Sequence, residues 1–492
     1  MIRQFSQSIN FPIVLRVMGW LLSIEALFML IPACVSWGYG ESISSMSFLY
    51  SAGITIAVGL ALMCLQPGSM QLRRREGLLL TATVWIFFSA FGMLPFLFSG
   101  TLPQPSDAFF ETMSGFTTTG ATVITDVDRV PHGILLWRSL IQWIGGMGII
   151  LFTLAVLPML NHKGGIAMFN AEVTGITHER MRPRVSQTAK YLWSLYIGIT
   201  LVLWALLTLG PMGWFDSLCH TMATVSTGGF SSKTMGLGYW HDAYSDTVIM
   251  LFMFLCGVNF ALMFKASKQG PKVLWASDTF RWYAGITLGV TLIIVVRMMA
   301  EGFLDDRSER VLFAAFDTVS AITSTGFSTY SYEKSGEFIS FLLMIVMFFG
   351  GMAGSTAGGA KVDRLIVMLK NTRNEFYRVL HLNAVTSVRV DGRAIPHEIV
   401  AKVIAFLSIY VLIVVLVAVM LSMMGLPIFD SLFSSMSAMG NVGFGYGLTG
   451  ENSAFALIPD FAKWLLAFEM MVGRLELFTV LVLFTKGFWV KE

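Results

Sequence analysis

The chain has 492 residues, 55% of them hydrophobic and only 13% charged, with a formal net charge of +3 and a mean hydropathy of +0.70. A water-soluble domain would lack the polar residues to cover so much apolar side chain, so a polytopic membrane protein is expected, with the lipid bilayer as its solvent. No basic patch points to nucleic acid, and four scattered cysteines and seven histidines show neither a disulfide framework nor metal-ligand spacing.

The first apolar run, Phe11 to Trp37, exceeds a signal-peptide core and ends without a small-residue cleavage site, so it reads as a retained span. Further runs able to cross about 30 Å of hydrocarbon begin near Met46, Gly77, His132, Thr188, His241, Thr279, Glu337, Glu398 and Asp460. Lysines and arginines collect in alternate loops: Arg3, Arg73 to Arg75, Lys163 to Lys190, Lys265 to Arg281, Lys361 to Arg393, then Lys486 and Lys491. The positive-inside rule makes these loops and both termini cytoplasmic. The opposite loops hold Asp107, Asp126, Asp128, Asp216, Asp242, Asp246, Glu301, Asp305, Asp306, Asp430 and Glu451, with Arg307 and Arg310 among them. They read equally as a mouth that concentrates cations or as an ordinary solvated surface.

Four of the outer segments share a hydroxyl-glycine signature. The first runs from Glu111 to Thr118-Thr119-Gly120, the second reaches Ser226-Thr227-Gly228, the third Ser324-Thr325-Gly326 and the fourth Asn441-Val442-Gly443. They recur at intervals of roughly one hundred residues, each between two apolar runs and after a semi-apolar stretch too short to cross a membrane. Asp107, Asp216 and Asp430 stand 13, 12 and 13 residues before their glycines, where an acid suits a helix N-terminus. The third segment has Phe313 there instead.

This anatomy predicts an all-α fold with a two-span extension, residues 1–76, followed by four parallel span/pore-helix/span repeats around a pseudo-fourfold pore. The repeats cover 77–187, 188–277, 278–397 and 398–492. Two spans per repeat give successive repeats the same orientation, unlike the inverted repeats of many secondary transporters. Short helices pointing their C-terminal ends inward would converge four partial negative charges on the axis. Glycine carbonyls and neighbouring hydroxyls could then replace the hydration shell of a monovalent cation. The alternative is that Thr, Ser and Gly only let helices pack closely. No carboxylate stands at the four glycine positions, which argues against a divalent-ion site.

These signatures, with GGMAGSTAGGAKV at 350–362 and Gly473-Arg474-Leu475-Glu476-Leu477, resemble the Trk/Ktr potassium-uptake superfamily from about Gly77 to the C-terminus. The two extra N-terminal spans are similar to its TrkH branch. The resemblance implies potassium as the transported ion, a channel-like pore in the bacterial inner membrane, and no cofactor within the chain. It also implies a homodimer and a separate cytoplasmic nucleotide-binding regulatory subunit, for which His178 to Arg184 and Asn371 to Arg393 are basic docking surfaces. The filter residues it implies are Thr118, Thr119, Gly120, Ser226, Thr227, Gly228, Ser324, Thr325, Gly326, Asn441, Val442 and Gly443.

The glycine-rich stretch after Glu337 superficially resembles a phosphate-binding loop. Ala360 separates Gly359 from Lys361, Val362 replaces the required hydroxyl, and a membrane segment precedes it, so nucleotide binding there is not expected. Thirteen residues from Glu337 to Phe349 are too few to cross alone, placing a flexible loop at membrane depth. The resemblance makes this loop a gate beneath the filter, comprising Gly350, Gly351, Gly354, Ser355, Thr356, Gly358, Gly359 and Lys361. Arg474 lies deep in the last apolar run, where a charge needs a partner or an aqueous cavity. It reads either as a positive barrier below the filter or as an ion-pair partner of Glu469 or Glu476. A potassium symporter coupled to protons or sodium is the alternative mechanism, with Glu25, Glu469 and Glu476 as relay groups. No nucleophile, base and metal constellation suggests an enzyme.

Overall fold

The computed structural model describes residues 9–66, 72–148, 185–304, 306–330, 332–450 and 454–489. Arg3, Lys163 to Arg184 with the basic segment from His178, Asp305, Glu451 and Lys491 lie outside the described residues. The described fold is helical, apart from a hairpin pairing Arg389–Val390 with Arg393–Ala394.

Two long helices, α1 (Phe11–Gly38) and α2 (Ser42–Met63), open the chain. Gly19 and Gly59 let them meet backbone to backbone: a β-carbon on Gly59 would lie 2.6 Å from Ser23 Oγ and 2.9 Å from Gly19 O. This is the small-residue packing used between helices in lipid.

A three-part succession then recurs. A long helix is followed by two shorter ones. The first set is α3 (Arg74–Gly92), α4 (Pro105–Phe116) and α5 (His132–Gly146). The second is α6 (Val185–Thr208), α7 (Trp214–Val225) and α8 (Ala243–Cys256), after which α9 (Phe260–Gln269) leaves at 103°. The third is α10 (Asp278–Glu301), α11 (Arg307–Ile322) and α12 (Glu337–Phe349), followed by the amphipathic α13 (Val362–Leu380). The fourth is α14 (His397–Met423), α15 (Ile428–Gly440) and α16 (Asp460–Arg474).

Among the described residues six helices are long and apolar enough to cross a membrane: Phe11–Gly38, Ser42–Met63, Arg75–Phe98, Tyr191–Thr208, Asp278–Glu301 and His397–Met423. The runs beginning near His132, His241, Glu337 and Asp460 instead form helices of 15, 14, 13 and 15 residues. At 1.5 Å per residue these extend about 20 to 23 Å, short of the hydrocarbon thickness. Among the described residues the ten apolar runs therefore correspond to six long helices and four shorter ones. At two of the stops a glycine is pressed against the end of a short helix. A β-carbon on Gly145 would strike Phe116 O, and one on Gly473 would strike Met439 O.

The short helices start on acidic residues, with one difference from the sequence pattern. Asp107, Asp216 and Asp430 sit in the first turns of α4, α7 and α15. They bind Lys463 at 2.5 Å, Ser232 Oγ at 2.6 Å and the Leu448 amide at 3.0 Å, so each is tied into the fold rather than simply solvated. The third short helix does have its acid. It begins farther upstream, where the Asp306 side chain accepts the Ser308 amide at 3.2 Å, because α11 has 16 residues where α4 and α7 have 12.

Gly59→Leu should separate α1 from α2 and cost about 1 to 3 kcal/mol of stability through overpacking. A lowered thermal midpoint of the detergent-solubilised protein would register it, and an unchanged midpoint would show that this crossing bears no load.

Candidate functional site

The four short helices terminate identically. Thr118, Thr227, Ser324 and Asn441 have left-handed backbone, with φ of +54°, +53°, +53° and +52°. The amides of these residues donate to Gly115, Thr224, Ala321 and Ala438 O, and the next amides donate to Ser114, Ala223, Ser320 and Ser437 O, at 2.7–3.2 Å. This is a Schellman cap, usually built on glycine. Holding β-branched Thr118 and Thr227 there costs on the order of 1 to 3 kcal/mol each and persists only where surrounding structure enforces it.

Two residues beyond each cap comes a glycine with positive φ: Gly120, Gly229, Gly326 and Gly443. A β-carbon on Gly120 would strike Gly228 O, on Gly229 Thr325 O, on Gly326 Val442 O, and on Gly443 Thr119 O. The four approaches form a closed cycle, first segment to second, third, fourth and back to first. Thr118-Thr119-Gly120, Ser324-Thr325-Gly326 and Asn441-Val442-Gly443 enter it in the register expected from sequence. The second segment is offset by one. Thr227-Gly228-Gly229 occupies the cycle, while Ser226 is the helix cap and turns its hydroxyl back to Met222 O at 2.7 Å. With this register Asp216 stands 13 residues before its glycine, matching Asp107 and Asp430.

Side chains brace the cycle from behind. The Thr119 and Thr325 hydroxyls bond to Thr117 and Thr323 at 2.8 Å, and Asn441 Nδ2 donates to Thr119 Oγ1 at 3.1 Å and Met470 O at 2.9 Å. Seven residues before each left-handed residue stands a fully buried polar side chain: Glu111, His220, Asp317 and Ser434. Glu111 accepts from Thr122 Oγ1 and the Val123 amide and pairs with Arg138 Nε at 2.8 Å. His220 Nε2 meets Ser231 Oγ at 3.0 Å, and Ser434 meets Thr449 Oγ1 at 2.8 Å. Glu111, His220 and Ser434 thereby hold the chain just beyond the cycle. The sequence signal for them is a polar residue at constant distance before the signature, visible only once the second register is corrected. Among the described residues no group of three or more His, Cys, Asp or Glu is placed to hold a metal.

The loop between α12 and α13 lies against this assembly. On one edge Thr356 Oγ1 donates to Cys256 O at 3.2 Å, the Met352 amide to Gly257 O at 3.0 Å, Asn259 Nδ2 to Ala353 O at 2.6 Å and the Phe260 amide to Gly354 O at 3.0 Å. On the other, the Gly358 amide donates to Ser324 Oγ, and a β-carbon on Gly358 would strike Gly440 O. The loop thus touches the ends of both the third and fourth short helices. Gly350, Gly354, Gly359 and also Lys361 have positive φ. Within the loop a β-carbon on Gly351 would lie 2.6 Å from Ala357 Cβ, Ser355 Oγ donates to Met352 O at 2.6 Å and Lys361 Nζ donates to Ala357 O.

Arg474 joins this loop to the opposite side. Nη1 donates to Thr356 O at 2.9 Å, and Nη2 to Gly145 O at 2.9 Å and Gly146 O at 3.2 Å. The two acids considered as its ion-pair partners have partners of their own: Glu476 pairs with Arg364, and Glu469 accepts from Ser435 Oγ at 2.7 Å. Glu25 is buried on α1, where a β-carbon on Gly92 would lie 3.0 Å from Oε1.

The family model TrkH, described as a cation transport protein, matches residues 44–489. The chain belongs to the TrkH family. It is 35% identical over 484 residues to the Trk system potassium uptake protein TrkH of Salmonella typhimurium, covering 98% of this chain and 99% of that protein. The Trk system potassium uptake protein TrkG of Escherichia coli is 32% identical over 480 residues, covering 97% and 98%. Among solved structures, the crystal structure of the potassium transporter TrkH from Vibrio parahaemolyticus has a TM-score of 0.88 at 31% identity, covering 98% of this chain and all of that one. This TrkH-family chain is a membrane transport protein, not an enzyme.

In a TrkH-family chain so arranged, Gly229→Ala should lower cation flux in reconstituted vesicles about tenfold or more, since the collision carries an overpacking cost of about 1 to 3 kcal/mol. Ser226→Ala should leave flux within about twofold, because that hydroxyl bonds only within its own helix. Equal sensitivity of the two positions would contradict the corrected register.

Proposed function

We propose that this protein takes up potassium across the bacterial inner membrane through a gated, channel-like pore. Four parallel repeats, 77–187, 188–277, 278–397 and 398–492, surround a pseudo-fourfold axis, and residues 1–76 add two N-terminal spans. Both termini are cytoplasmic. The observation that carries this reading is the closed cycle of glycine and carbonyl approaches among four identically capped helix ends.

Each short helix directs a partial negative charge of about half an elementary charge toward the cycle. Backbone carbonyls there offer neutral oxygen ligands in place of water, a setting for a monovalent ion rather than a divalent one. The filter comprises Thr118-Thr119-Gly120, Thr227-Gly228-Gly229, Ser324-Thr325-Gly326 and Asn441-Val442-Gly443. A single glycine-centred layer discriminates less strongly than several in series, so rubidium passes readily and sodium leaks.

The loop from Gly350 to Lys361 is the gate. It is held shut by its bonds to Ser324 and the α8–α9 break, and by Arg474 across the path to Gly145 and Gly146. Arg474 adds a positive charge that repels cations below the filter. The protein acts as a homodimer, and a cytoplasmic nucleotide-binding subunit of the Trk type supplies the work that opens the loop.

Purified protein in liposomes, assayed for potassium, rubidium and sodium flux, tests this. Arg474→Ala, and separately deletion within Gly354 to Gly359, should raise potassium flux severalfold. Unchanged flux in well-folded variants would remove the gate assignment. The current should reverse at the potassium equilibrium potential. A reversal that follows a proton or sodium gradient would replace the pore with coupled transport.

A further inference from the structure

Three segments of the cycle carry a side chain at the middle position, Thr119, Thr325 and Val442, whereas the second carries Gly228. The volume of that missing side chain is filled from the preceding repeat. A β-carbon on Gly228 would lie 2.5 Å from Gln142 Cδ and 2.8 Å from both Nε2 and Oε1, so the α5 glutamine lies directly against the glycine.

The Gln142 side chain is fully buried and both ends of its amide are used. Nε2–H donates to Gly228 O at 2.6 Å, and Oε1 accepts the Phe230 amide at 3.1 Å. A carbonyl on one side and an N–H on the other leave the amide one orientation. One turn earlier on the same helix, Arg138 lies over the Phe230 ring at 4.2 Å and donates to Ser231 O at 3.0 Å. Helix α5 therefore grips the second segment at residues 228, 230 and 231.

Gly228 O is also the oxygen that Gly120 packs against, one of the four carbonyls of the cycle. Adjacent Gly228 and Gly229 would otherwise leave this the least constrained peptide of the four. We infer that Gln142 is a positioning residue for cation selectivity, fixing the direction of the Gly228 carbonyl and standing in for the side chain the second segment lacks. This rests on the filter reading above. The amide also draws on the electron density of that oxygen, so the four carbonyls are unequal acceptors and the second segment is the weakest ligand.

The arrangement predicts a reciprocal pattern between positions 142 and 228. Gln142→Ala should lower the potassium-to-sodium flux ratio in liposomes about three- to tenfold, the range one hydrogen bond represents, with potassium flux held within about twofold. Gln142→Glu keeps the acceptor for Phe230 but faces an oxygen toward Gly228 O, and should lower the ratio at least as far. Gly228→Thr alone should collide with Gln142 and reduce flux. Gly228→Thr with Gln142→Ala should recover both flux and ratio, because the vacated space fits a threonine as at Thr119 and Thr325. Thermal midpoints are read alongside: if Gln142→Ala does not fold, the near-isosteric Gln142→Glu carries the comparison. A wild-type ratio in the folded single variants, or a double variant no better than Gly228→Thr alone, would overturn the inference. A wild-type protein without any potassium preference would instead overturn the filter reading itself.

Discussion

Four glycine α-carbons pressed against four carbonyl oxygens of neighbouring segments are the constraint around which the chain is arranged. Each approach excludes a β-carbon at Gly120, Gly229, Gly326 and Gly443. Each also requires the preceding helix to stop abruptly, which the Schellman caps achieve with left-handed Thr118, Thr227, Ser324 and Asn441. Two β-branched residues held in that conformation show that surrounding packing overrides local preference here. The strain is concentrated at the site where backbone oxygens must face one another closely.

Polar groups around the cycle are disposed as a low-dielectric medium demands. Arg138 is buried but shared among Glu111, Thr122, Ser231 and the Phe230 ring. Buried charges of this kind add little net stability relative to apolar packing, but losing one partner is costly, so they hold geometry more than they supply energy. Arg474 is treated differently. Its guanidinium reaches backbone carbonyls on two sides, Thr356 on the loop and Gly145 and Gly146 at the end of α5. These contacts tie the end of α16 to the loop and to the end of α5 at once.

The intermediate helices explain why non-helical backbone is tolerated at membrane depth. Helices α5, α8, α12 and α16 stop after 13 to 15 residues, and Met147, Gly257, Met352 and Leu475 just beyond their ends are buried in protein. The loop after α12 satisfies peptide groups through Gly257, Asn259, Phe260 and Ser324, and its Thr356 hydroxyl donates to Cys256 O. Many of these are single hydrogen bonds across an interface of small residues.

Composition, hydrophobic run lengths and the recurring hydroxyl-glycine signature determine by themselves that this is a membrane protein with four related segments and a glycine-rich break after Phe349. These are local properties, since hydrophobicity, helix length and backbone permissiveness depend on neighbouring residues. Apolar composition cannot tell a long helix from one that stops early, because both face apolar surroundings, and so the runs near His132, His241 and Asp460 prove to be helices of only 15, 14 and 15 residues. In the second segment the side-chain space at Gly228 is occupied by the amide of Gln142, 86 residues away in sequence. The acid that starts the third short helix is hidden because that helix is longer than its counterparts. The partners of Arg474, Thr356 and Gly145 with Gly146, likewise lie far from it in sequence. Only the tertiary structure decides such matters, because each depends on which distant backbone arrives at a given side chain.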